Sequence, residues 1–147
     1  MKQNNLFAKR YSLFFISLIP FSILSGYLLS KASLIGRTGI NLFYKEYKFL
    51  KVWWQGALVA FIAWAVLAFF LSIIQHKTSK KQSHIIYIVI LLLGAIGLYV
   101  TYYDFRHTLT HRLLGERFHL GGYLFWIVWM LISICFLWQQ KPIPEKE

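Results

Sequence analysis

Charge is scarce in this sequence, and negative charge scarcer still. Of 147 residues, 14% are charged and only five are acidic. A soluble domain of this length carries charge on about a quarter of its residues, so much of this chain's exterior faces something other than water. Cysteine is nearly absent too. The single one, Cys135, excludes an intramolecular disulfide and a cysteine-only metal site. It lies in an apolar run and reads as a small hydrophobe, in the core or facing lipid. No Gly-rich phosphate loop, nucleophile elbow or zinc-protease motif occurs. The alternating segments of about ten residues that build a membrane β-barrel are missing as well.

What the chain does have is apolar length. Four runs carry no Asp, Glu, Lys or Arg: Tyr11 to Ser30, Trp53 to Gln75, Ile85 to Tyr103 and Leu120 to Trp138. At 1.5 Å rise per residue, about 20 residues match the hydrocarbon thickness of a bilayer. Backbone polar groups in lipid must be paired within their own segment, which makes such runs helices. The expected fold is an all-α integral membrane protein, a four-transmembrane-helix bundle spanning residues 1–147 as one domain. The first run follows Lys2, Lys9 and Arg10, yet it is too long for a signal-peptide core, so it is expected to be a retained helix. Pro20 in its middle lacks the N–H that would bond the Ile16 carbonyl, and a kink is expected there.

Aromatic residues mark the ends of the runs: Trp53 and Trp54, Tyr102 and Tyr103, and Trp138. Rings with one polar edge favour the headgroup level, as in an aromatic belt. Small residues recur at helix-packing spacing, as Ser22, Gly26 and Ser30, as Gly56 and Ala60, and as Gly94 with Gly97. From Leu42 onward, Phe43, Tyr47, Leu50 and Trp54 share a helical stripe that Lys45, Lys48 and Lys51 avoid. This is the pattern of a short interfacial amphipathic helix in the first connecting loop. A second such helix is expected in the third loop.

The net charge is +11, from 16 Lys and Arg. These residues fall between the apolar runs, where they meet anionic lipid headgroups rather than nucleic acid. Four spans put both termini on one side, and each side then carries eight Lys or Arg. The positive-inside rule therefore ties. The tight hairpin from His76 to His84, with Lys77, Lys80 and Lys81 and no acid, tips the expectation toward cytoplasmic termini in a cell membrane.

The stretch from Asp104 to His119 concentrates three of the five histidines, three arginines and two of the five acids. As a helix it would align Asp104, His107 and His111 on one face, with Glu116 and His119 following after a break at Gly115. Asp104, His107, His111 and His119 are candidate metal or haem ligands, since neighbouring imidazoles can share an ion that a carboxylate binds or orients. The His-x-x-x-His spacing of His107 and His111 resembles one histidine box of membrane di-iron hydroxylases and desaturases, over five residues. Those enzymes use several boxes, and the others have no counterpart in this chain. The run from His111 to Gly115 resembles small haem-binding anchors of respiratory complexes. Either resemblance implies a metal- or haem-dependent subunit. The alternative needs no cofactor: Asp104 caps a helix, while Arg106, Arg112 and Arg117, with Lys45, Lys48 and Lys51, contact lipid or a partner.

No charged residue lies at the middle of any run, which argues against a coupled transporter. Trp64, in the middle of the second run, reads as a packing residue. The expected function is a non-catalytic accessory or anchoring subunit, bound to another membrane protein, to a second copy or to lipid headgroups. A redox or hydroxylase-type subunit, and a small oligomeric channel or lipid transporter, are the competing readings.

Overall fold

The computed structural model describes residues 2–33 and 50–139, with side chains from Phe15 onward save those of Leu109 and Thr110. Among the described residues five helices follow one another: α1 (Lys2–Ser30), α2 (Trp53–Lys77), α3 (Lys80–His107), α4 (Leu109–Arg112) and α5 (Glu116–Trp138). No strand occurs among the described residues. Helices α2, α3 and α5 are long and apolar enough to cross a membrane, and α1 adds a shorter apolar stretch, Phe15–Ser30. The fold is an all-helical membrane bundle. The surface segment expected from Leu42 onward, with Lys45 and Lys48, lies outside the described residues.

Helix ends overrun the uncharged runs. Helix α3 begins at Lys80, five residues before its run, because Ser79 and Gln82 form a reciprocal capping box that satisfies its first donors. The hairpin to α2 thus shrinks to Thr78 and Ser79, and the Thr78 hydroxyl donates to the Ile74 carbonyl at 2.6 Å. Helix α1 continues through Pro20 from Lys2 to Ser30.

Helix α5 organises the bundle. It packs against α1 and α3 and also touches α2, while α2 and α3 share few contacts beyond their hairpin. At the α1–α2 crossing Gly26 meets Gly56 and Ala57, and a methyl on Gly26 would come within 3.0 Å of the Ala57 nitrogen and the Trp53 carbonyl oxygen. Only hydrogen fits there. Gly94 and Gly97 serve differently. They open hollows on α3 for the indoles of Trp129 and Trp126 on α5.

Donors within the apolar bundle find partners, as a lipid environment demands. Trp64 is fully buried, stacks on Phe125 at 5.7 Å and donates to the Phe125 carbonyl at 3.2 Å. It is a packing residue. The Trp129 indole donates to the Ile90 carbonyl at 3.3 Å, Trp126 to the Thr101 hydroxyl at 2.8 Å, and Tyr87 to the Leu71 carbonyl at 3.2 Å. Ser25 crosses from α1 to the Gly121 carbonyl on α5 at 3.2 Å. Cys135 is half-buried.

Candidate functional site at the histidine-bearing end

The end of α1, the start of α2, the end of α3 and the start of α5 all meet at one end of the bundle. The stretch from Asp104 to His119 lies there, divided differently from the single surface helix expected of it. Its first four residues complete the last turn of α3. Thr108 then leaves the helical conformation, at φ −86° and ψ 114°, while its N–H still donates to the Asp104 carbonyl at 2.9 Å. The four-residue α4 follows, then a turn, then Gly115 at φ 94°, a conformation that favours glycine. The break expected at Gly115 is present. The one at Thr108 rotates the chain between His107 and His111.

That second break separates the candidate ligands. Asp104 is the centre of one group: its carboxylate accepts from the Thr108 hydroxyl at 2.7 Å and from Nδ1 of His111. His107 turns outward, with Nδ1 donating to the Tyr103 carbonyl at 2.9 Å and its ring stacked on Tyr103 at 4.0 Å. His119 reaches the same neighbourhood from α5, its Nε2 donating to the His111 carbonyl at 2.9 Å. A carbonyl only accepts, so these bonds place the proton on Nδ1 of His107 and on Nε2 of His119. Among the described residues no group of three or more His, Cys, Asp or Glu side chains is placed to hold a metal ion.

Phe105 holds these rings together. It stacks on His119 at 4.4 Å and meets His111, Phe118 and Tyr123 edge-on or tilted at 6.3, 6.0 and 5.8 Å. Beneath it lies a small apolar cluster of Ala32, Leu114 and Phe118, with Leu29 and Leu50 against it. The Ser33 N–H donates to the Leu114 carbonyl at 2.7 Å, and its hydroxyl donates to the Leu113 carbonyl. The start of the first connection is thereby fastened to the third.

The basic candidates sit around this clasp. The Arg106 guanidinium lies 5.5 Å from the centre of the Tyr102 ring, Arg112 and Arg117 are exposed, and Lys51 is half-buried just before α2. A carboxylate that orients an imidazole through Nδ1 is the usual outer partner of a ligating histidine. It is equally a way to settle polar groups at a membrane edge, where unpaired ones are costly. No known protein family, characterised protein or solved structure matches the chain.

Proposed function

We propose that this chain is a four-span, non-catalytic membrane component, an accessory or anchoring subunit. It joins a membrane partner along the outer face of α3 and meets anionic headgroups through Arg106, Arg112, Arg117, Lys51 and the lysines of the first connection. One observation carries the reading. Only 17% of the apolar window of α3 is buried inside the chain, against 39% for α2. Helix α3 leans on α5 through Ile90, Gly94, Gly97 and Thr101, and leaves Ile85, Val89, Leu92, Leu93, Ile96 and Val100 exposed. A face of that length suits a neighbouring helix as well as lipid. The polar groups at the histidine-bearing end support the same reading, because the Asp104 carboxylate accepts from Thr108 and His111 and the His119 ring donates to the His111 carbonyl. In this reading both termini lie on the cytoplasmic side, with the hairpin that carries Lys77, Lys80 and Lys81, because its three positive charges have no acid among them. Purification in mild detergent tests the proposal: the chain should travel with a larger assembly, whereas a stable monomer with turnover of its own refutes it.

The Asp104–His111 pair favours a second reading, a metal- or haem-binding subunit in which Asp104 orients His111. It requires stoichiometric metal or a haem absorbance band that disappears in His111→Ala. A purified protein with neither ends it.

A further inference from the structure

An open groove of about 570 Å³ runs along the outside of α1, beside the start of α2. Pro20, Ile23, Leu24, Tyr27 and Trp53 line it, and its walls are almost wholly apolar. From Tyr27 to Pro20 it descends seven residues along α1, about 10 Å at the helical rise. Its mouth is different in kind. Tyr27 and Trp53 stand there, and amphipathic rings of this kind prefer the headgroup level of a bilayer. The Lys31 ammonium lies over the Tyr27 ring, 4.8 Å from its centre. No side chain caps the N-terminus of α2 at Val52, so the partial positive charge of that helix end faces the same level.

We propose that this groove holds one anionic phospholipid, an acyl chain along Pro20, Leu24 and Tyr27 and the phosphate beside Lys31. The inference rests on the membrane reading above and assigns a particular lipid class to a particular place. The occupant follows from the two halves of the site. An apolar channel open to the bilayer side accepts a hydrocarbon chain and offers no partner to a polar ligand. Among the described residues, the Lys31 cation at its mouth, with no acid lining the groove, selects a headgroup that keeps its negative charge over one that carries its own ammonium. The cation–ring contact holds Lys31 over the groove instead of leaving it to sweep through solvent.

Native mass spectrometry of the full chain in mild detergent tests this, titrated with phosphatidylglycerol and with phosphatidylcholine of identical chains. The wild type should retain a single phosphatidylglycerol, about fivefold more readily than phosphatidylcholine. Lys31→Gln should erase the preference while still binding either lipid weakly. Leu24→Trp fills the groove and should abolish retention of both, whereas Val66→Trp, on an exposed face of α2 away from the groove, should bind like the wild type. Equal retention of the two lipids by the wild type, or unchanged retention by Leu24→Trp, overturns the proposal while leaving the membrane reading intact. A chain that stays in solution without detergent defeats both.

Discussion

The backbone N–H of Ser33 donates to the Leu114 carbonyl at 2.7 Å, across 81 positions of sequence. This bond and the Ala32–Leu114–Phe118 cluster lock the first connection against the third. The lock depends on the turn at Gly115, whose φ of 94° and ψ of 154° belong to a region populated almost only by glycine. Gly115→Ala should therefore cost about 1–3 kcal/mol. A thermal unfolding scan in detergent should show a lowered midpoint, and an unchanged midpoint would mean the turn relaxes freely.

Helices α1 and α2 approach where Gly26 and Gly56 face each other, and Gly26 has backbone on its open side. Backbone cannot swing away as a flexible side chain can. Gly26→Val should force the two helices apart and destabilise the bundle by on the order of 1–3 kcal/mol. Leu58→Ala, at an exposed position of α2, should change stability far less. If both variants melt together with the wild type, the crossing is looser than its geometry requires.

The Trp126 indole donates to Thr101 at 2.8 Å from a ring seated over Gly97. Trp126→Phe and Thr101→Val each remove the bond and retain much of the packing. Hydrogen bonds between helices in a bilayer are worth about 0.6 kcal/mol on average. A double-mutant cycle should return a coupling of that order, and additive effects would show the bond to be energetically idle.

Asp104 joins Thr108 and His111, while His107 stacks outward on Tyr103. As a structural clasp, the site should respond unequally to its histidines. His111→Ala should lower the unfolding midpoint, by about 1–3 kcal/mol of stability if the Asp104 carboxylate is left partly unsatisfied. His107→Ala should barely move it. Equal losses from both, accompanied by loss of bound metal, would favour the ligand reading instead.

How much of this could be read beforehand follows from the physics of each element. Uncharged length located the apolar helices, because hydrocarbon tolerates little else. It could not locate their ends, since a helix continues past the last apolar residue for as long as its backbone donors and acceptors are met. The start of α3 is set by the Ser79–Gln82 capping box, which lies among the charged residues that apolar length passes over. The spacing of Asp104, His107 and His111 assumed an unbroken helix, and nothing as plain as glycine or proline marks the break at Thr108. Small residues were read as close-packing positions, which holds for Gly26 and Gly56. Ser22 and Ser30 are buried as well, their hydroxyls bonded to carbonyls of their own helix at 2.8 and 2.7 Å. Ser25, which no spacing singled out, reaches the Gly121 carbonyl of another helix. Which face a serine presents is decided by a partner helix that its own segment does not reveal.

The position of α5 has a consequence for how the protein is made. A chain is delivered to the membrane from its N-terminus, so α1 and α2 can zip together at their glycines while synthesis continues. Helix α3 then emerges with almost nothing to lean on, its hollows at Gly94 and Gly97 waiting for indoles that have not been translated. Until α5 arrives, the face of α3 that carries Gly94 and Gly97 has no indoles to fill its hollows, so a chain that stops short of Trp126 lacks both.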